Sequence, residues 1–272
     1  MSRDTGASSA GAVSVRREGA VLHLLIDRPA TRNSLSPRMI DTLVATLTDA
    51  AGDPELRAVH LGGSGADFCS GVDWVASNNA DRPRPRTGDL VRRIPHTAHR
   101  VIELLHTIQL PVVCGVRGWA AGLGCNLALA ADFTVAADDA VFWEPFVTRG
   151  FSPDSGSTWL LPRLIGLTRA KRMLLLGEKV SAADAAEWGL IDRCVPAGDL
   201  HETVAALLAQ LAAGPTVALG LAKQALAYGQ HATLGQSLHQ ELYDLELSCR
   251  TTDFKEGLTA FQERRTPDFQ GR

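Results

Sequence analysis

Apolar positions along this chain change period repeatedly, and each change predicts an element. Val13 and Val15 alternate with polar residues; after Glu18 and Gly19 the run Val21, Leu22, Leu24, Leu25, Ile26 is nearly continuous, which predicts a β-hairpin over 12–27 feeding a sheet. RPATRNSL then breaks the strand. Ser36 and Pro37 supply an N-cap and a first-turn proline for a helix to about Ala51, with Met39, Ile40, Leu43, Leu47 and Ala50 on one face. A short strand is expected over 58–61, and a helix over 97–108 that carries Val101, Leu104, Leu105 and Ile108 and stops ahead of Pro111. Residues 111–116 have the apolar run of a buried strand, and GWAAGLGCNLALAADF that of a sharp turn becoming a helix. Further helices are predicted over 155–164, 168–176, 181–188 and 201–212, and Gly214-Pro215 opens long apolar-periodic helices that reach Phe261.

Composition narrows this to one ordinary globular domain, or one domain with a helical appendage. The chain has 272 residues, 45% of them hydrophobic, and a formal net charge of −3, so nothing favours whole-protein attraction to nucleic acid. No apolar run reaches the 18 or more residues of a membrane span, and the small, polar stretch 1–11 lacks the apolar centre of a secretory signal. Those residues are expected to be a disordered tail, and the protein to be cytoplasmic, away from membranes. Cys69, Cys114, Cys125, Cys194 and Cys249 are odd in number, widely spaced and mostly in apolar surroundings, which fits reduced, buried thiols.

Candidate chemistry concentrates in 111–166. Gly122, Leu123 and Gly124 open a helix whose first N–H groups have no intrahelical partner and can face negative charge. Asp154 sits in a Ser/Gly-rich, aromatic-flanked turn and can move a proton. A second glycine-rich connection, GGSGADFCSGVDW, ends in the turn Ser70-Gly71-Val72-Asp73, of a kind that presents backbone N–H groups to an oxygen or serves as an ordinary βα loop. A dinucleotide site is excluded, because Leu127 occupies the third glycine position of that fingerprint. His96, His99 and His106 lack metal-ligand spacing and read as helix-surface histidines. Residues 76–95 read as a polar surface loop whose arginines, Arg82, Arg84, Arg86, Arg92 and Arg93, either are solvated or cover an anionic ligand.

RPATRNSL, ADFCSGVDW, GWAAGLGCNLALAADF, GFSPDSGSTWLLPRLIG, AAEWGLID and FQERRTPDFQGR, in that order over roughly 12–272, resemble the crotonase (enoyl-CoA hydratase/isomerase) superfamily. The resemblance implies an α/β fold: a crotonase-like spiral of ββα units over 12–198 with a C-terminal helical trimerisation region over 199–272. It also implies a coenzyme A thioester as substrate, no further cofactor and no metal, and a homotrimer or dimer of trimers. The shared chemistry is an enolate held by two backbone N–H groups, which map to Val72 and Leu123, with Ser70, Gly71, Asp73 and Gly122 lining the substrate beside them. The two glutamates of the family's hydratases map to Asn126 and Phe146, neither of which is a base. Asp154 maps to the catalytic acid of isomerases such as the ring-epoxide phenylacetyl-CoA isomerases, whose PD-x-GGTW-x-LPR is similar to PDSGSTWLLPR here, and Asn126 matches that group as well.

Each assignment has a plainer counterpart. Asp154 could instead cap the helix that follows it, and Glu144 is either a second acid or a surface ion pair. Trp143, Phe146, Phe151 and Trp159 form an acyl pocket or simply pack the core. Arg28 and Arg32 beside the first βα turn are phosphate candidates or solvated charges. Phe261, Arg264, Arg265 and Lys255 resemble the terminal region that contributes to the nucleotide end of coenzyme A.

Overall fold

The computed structural model describes residues 11–73 and 86–272. The expected tail, apart from Gly11, lies outside them, as do Arg82 and Arg84. Strands β1 (Ala12–Glu18) and β2 (Val21–Asp27) form the expected antiparallel hairpin, with Val15 opposite Leu24. Helix α1 (Pro37–Ala51) starts where the sequence places it: the Ser36 side chain accepts from the Met39 N–H at 3.4 Å, and Met39, Ile40, Leu43, Leu47 and Ala50 are buried. Strand β3 (Ala58–Gly63) follows. Asp89–Arg93 is a short helix, α2, where a loop was expected; Asp89 and Arg93 lie one turn apart with 3.7 Å between their charged groups, a spacing that supports helix. Next come α3 (Ala98–Thr107), β4 (Val112–Val116), β5 (Trp119–Ala121), α4 (Leu123–Leu129), β6 (Phe133–Ala137) and β7 (Val141–Trp143).

The two helices expected on either side of residue 166 form one element, α5 (Ser157–Leu176), broken at Gly166, whose φ of 73° and ψ of 163° end the first half. Strand β8 (Lys179–Ser181), α6 (Ala182–Trp188) and β9 (Arg193–Val195) complete the mixed part. Helices α7 (Leu200–Ala212), α8 (Thr216–Gly229), α9 (Leu234–Ser248) and α10 (Thr252–Glu263) close the chain.

A six-stranded sheet runs β1-β2-β3-β4-β6-β9, parallel from β2 onward, and a small sheet runs β5-β7-β8. Strands buried on both faces need near-continuous apolar sequence, which is why β4 reads VVCGV. One face packs Leu24, Leu61 and Cys114 against α1 and α3; the other packs Ala58, Val113 and Val135 against Val204 and Leu208 of α7. From α8, Lys223 reaches the Asp132 carboxylate at 2.7 Å and the carbonyls of Leu105 and Leu110, which fastens the helical region to the start of β4. Cys69, Cys114 and Cys125 are buried free thiols, and burial pushes Cys69 up to about 12; Cys194 and Cys249 are only partly buried.

Candidate active site

Two extended segments meet edge to edge and bring the expected donors together. The Cys69 N–H donates to the Trp119 carbonyl and the Ala121 N–H to the Cys69 carbonyl, both at 2.9 Å. On its other side the same segment is held by Leu35, which donates to Gly71 and accepts from Asp73. Because Gly71 C=O and Asp73 N–H point at Leu35, the intervening Val72 N–H points the opposite way, as backbone groups alternate along an extended chain. Leu123 is the first residue of α4, so its N–H has no intrahelical acceptor. Among the described residues neither N–H is engaged in a hydrogen bond. Glycine permits this approach: a Cβ at Gly124 would sit 2.3 Å from the Cys69 carbonyl oxygen, and one at Gly71, whose φ is +94°, would sit 2.8 Å from that of Ala121.

The narrow cleft there is lined by Ser70, Gly71, Val72, Gly122, Leu123, Pro145, Phe146, Arg149, Phe151, Asp154 and Ser155. Asp154 is the one carboxylate among these residues. It does not cap α5: Gly156 holds the N-cap position without a side-chain bond, and only the Asp154 backbone carbonyl is used locally, by the Ser157 N–H and hydroxyl. Its side chain instead meets His99 on α3, with Nε2 2.5 Å from Oδ1. Sequence reasoning passed over His99, because the 55 residues separating the pair leave no local pattern.

Asn126 and Glu144 lie in a second layer, both fully buried. Asn126 Nδ2 donates to the Gly122 carbonyl at 3.1 Å. Glu144 is not a surface ion pair; burial pushes its carboxyl well above the usual range. Cys125 and Asn126 are the polar side chains beside it.

Other expected residues divide between the cleft and elsewhere. Phe146 and Phe151 pack edge to face in its wall, 5.5 Å between centroids. Trp143 packs against Trp119, donates its Nε1–H to the Gly177 carbonyl and does not line the cleft; Trp159 packs on His106. Neither lines the cleft: Trp143 ends β7, which pairs with β5 and β8, and Trp159 lies in the first half of α5. Arg28 is a strut: Nη1 reaches Asp73 Oδ2 at 2.7 Å and the Ser34 hydroxyl at 3.1 Å, tying the first βα turn to the donor segment. Asp73 thus serves Arg28, Ser70 Oγ donates to the Thr31 carbonyl, and Arg32 is exposed, 3.9 Å from Asp67. Phe261 is 84% exposed on α10, and Arg264 caps that helix in the left-handed conformation. Arg265 is held by Glu256 and Glu263, and its guanidinium lowers Glu256 to about 2.

A larger cavity, about 550 Å³, lies on the other sheet face beside α7, lined in part by His23, His60 and His201. Val72, Leu123 and Asp154 are not among its lining residues. His23 and His60 face each other at 3.1 Å, and burial lowers His60 to about 4, so the cleft, despite its smaller size, is where the chemistry converges.

Comparison with known proteins agrees with this architecture. Residues 16–272 match the enoyl-CoA hydratase/isomerase family model. The chain is 37% identical to the 1,2-epoxyphenylacetyl-CoA isomerase of Escherichia coli (strain K12) over 94% of its length and 97% of the relative. It is 34% identical to the 2,3-dehydroadipyl-CoA hydratase of the same organism, over 95% and 98%. The crystal structure of an enoyl-CoA hydratase from Bacillus anthracis superposes with a TM-score of 0.88 at 32% identity, covering 96% of this chain and 99% of that one. The mixed sheet with its C-terminal helices is the crotonase fold, and the chain belongs to the enoyl-CoA hydratase/isomerase family.

Proposed function

We propose that this protein isomerises an enoyl-CoA thioester, shifting a double bond or a ring through an enolate, with Asp154 as the acid and base. The observation that carries the proposal is that Asp154 is the single carboxylate in the described cleft, while the hydratase glutamate positions hold Asn126 and Phe146. Hydration needs a group to activate water as well as one to protonate carbon; a proton shift along one conjugated system needs one carboxylate.

The thioester carbonyl oxygen lies between the Val72 and Leu123 N–H groups. Asp154 removes a proton from carbon α or γ; the C–H electron pair moves into the thioester, and the negative charge gathers on the oxygen facing the two donors. Returning the proton at the other carbon completes the shift without net redox change. Each donor contributes roughly a hundred- to a thousandfold in rate, because it is already aimed where charge develops. His99 holds one Asp154 oxygen and leaves the other for the substrate. Phe146 and Phe151 supply an apolar wall for the acyl group.

Coenzyme A enters as substrate, and the chemistry calls on no further cofactor or metal. We also propose a homotrimer or dimer of trimers, because α9 exposes Leu234, Leu238, Leu242 and Leu245 along one side.

The test is exchange of thioester α and γ protons in D₂O with 3-enoyl-CoA and ring-bearing substrates. Exchange with double-bond or ring migration, lost in Asp154→Asn, is the expected result. Net addition of water without migration would establish hydratase chemistry in its place, and binding without exchange a non-catalytic acyl-CoA carrier.

A further inference from the structure

Behind the cleft lies a group of buried oxygens short of protons. Among the described residues Glu144 Oε1 and Oε2 and Asn126 Oδ1 have no hydrogen bond of ordinary geometry, although both side chains are fully buried; the Cys125 thiol and the Asn126 amide lie beside the Glu144 carboxyl without reaching that geometry. Three buried acceptors without a well-formed hydrogen bond are costly, because their desolvation is poorly compensated. Turning the Asn126 amide over does not help. Its Nδ2 already donates to the Gly122 carbonyl at 3.1 Å, and exchanging the two ends would set oxygen against oxygen. One added proton offsets part of the deficit, because a neutral Glu144 becomes a donor and Asn126 Oδ1 is an unpartnered acceptor on the neighbouring side chain.

We propose that Glu144 is a protonated positioning residue whose O–H bonds to Asn126 Oδ1, so that Asn126 in turn fixes the Gly122–Leu123 peptide and the direction of the Leu123 N–H. The inference rests on the oxyanion role of Leu123 given above. Gly122 is anchored from three directions: its N–H donates to the Trp143 carbonyl at 2.9 Å, and its carbonyl accepts from both the Asn126 N–H and Nδ2. Glu144 follows Trp143 directly, so the chain that pins one side of this peptide also carries the acid that pins the other. Burial favours the neutral carboxyl and outweighs the Cys125 and Asn126 side chains, which pull toward the carboxylate. Cys125 is the one titratable side chain acting on it among the described residues; it is itself fully buried and kept neutral by the same cause. Glu144 does not line the cleft, so it acts through Asn126 and not on substrate.

Two variants separate this from a merely structural role. Glu144→Gln keeps a donor and no charge; Glu144→Leu keeps the approximate volume and leaves Asn126 Oδ1 unpartnered. At pH 7.5 the infrared difference between native protein and Glu144→Gln should contain a protonated carboxylic acid C=O band. Glu144→Gln should retain most of the thioester proton-exchange rate and lose the alkaline limb of the native pH profile. Glu144→Leu should lower kcat by about tenfold with KM nearly unchanged, and should move the Leu123 amide resonance. Absence of the acid band, or an unmoved Leu123 resonance and full kcat in Glu144→Leu, overturns the proposal. Should Glu144→Leu fail to fold, the acid band and the Glu144→Gln pH profile decide. If the native protein exchanges no thioester proton, the oxyanion reading fails on its own, and the acid band and Leu123 resonance still decide the role of Glu144.

Discussion

His99 Nε2 stands 2.5 Å from Asp154 Oδ1, joining the helix α3 to the turn that opens α5. Both side chains are partly open to water, 43% and 33% exposed, so the pair links the cleft to solvent. A carboxylate held through one oxygen presents the other in a fixed direction, and a partly exposed imidazole offers a route for its proton to exchange with the medium.

Asp154→Asn therefore removes the proton acceptor itself and should lower thioester proton exchange by about a hundred- to ten-thousandfold. His99→Gln should cost about tenfold in kcat, since it loosens the carboxylate without deleting it. In D₂O the native protein should incorporate solvent deuterium into the migrated product, and His99→Gln should retain more of the original proton. Equal incorporation in the two proteins would remove His99 from the proton route.

Gly71 allows the donor segment to lie against Ala121. Alanine there meets the Ala121 carbonyl oxygen at 2.8 Å and must adopt a φ of +94°, so the segment has to shift and take the Val72 N–H with it. Gly71→Ala should lower kcat by about a hundredfold and unfolding stability by about 1–3 kcal/mol. Steady-state kinetics and thermal unfolding read the two effects separately; a lower Tm with unchanged kcat would show that Val72 is not an oxyanion donor.

Periodicity made the large elements legible: the hairpin, α1 with its Ser36 cap, the buried strand β4 and the C-terminal helices lie within a few residues of where the apolar pattern places them. Strands β5, β7 and β8 escaped notice because three residues carry too little alternation to register. The glycine turns and Asp154 could be found as local motifs. His99 and the Glu144–Asn126 contact could not, because each is made by chain segments far apart in sequence. Burial decided the rest. Glu144 looks like any exposed acid until β7 is seen to bury it, and Arg28 looks like a phosphate ligand until Asp73 is found beside it.

A buried acid also leaves a mark on stability. Glu144 has its folded-state pKa raised well above the ordinary carboxylate value of about 4.3. Its contribution is most favourable below that value. As pH rises the unfolded chain releases a proton that the native state keeps, so stability falls by up to about 1.4 kcal/mol per pH unit until the folded group ionises. Glu144→Gln lacks this loss. Urea unfolding at pH 5 and pH 8 should show the variant gaining on the native protein as pH rises; parallel curves would mean that Glu144 is ionised in the folded state.

Along α9, Leu234, Leu238, Leu242 and Leu245 recur at spacings of four, four and three, which places them on one side of the helix, and they are 77%, 56%, 61% and 58% exposed. Water contact along such a stripe is unfavourable by about 1.5–3 kcal/mol for each leucine that a partner would cover fully. The capping box at Thr233 and Gln236 keeps the helix start ordered, so the stripe is presented on a formed surface. Assembly through this face predicts that Leu238→Glu combined with Leu242→Glu converts the native oligomer to a species of one chain, 29.0 kDa, by sedimentation equilibrium. Helix content by circular dichroism should be unchanged, because neither side chain is buried within the chain. A native protein that already sediments as a single chain, or a double variant that stays assembled, would rule this face out as the contact.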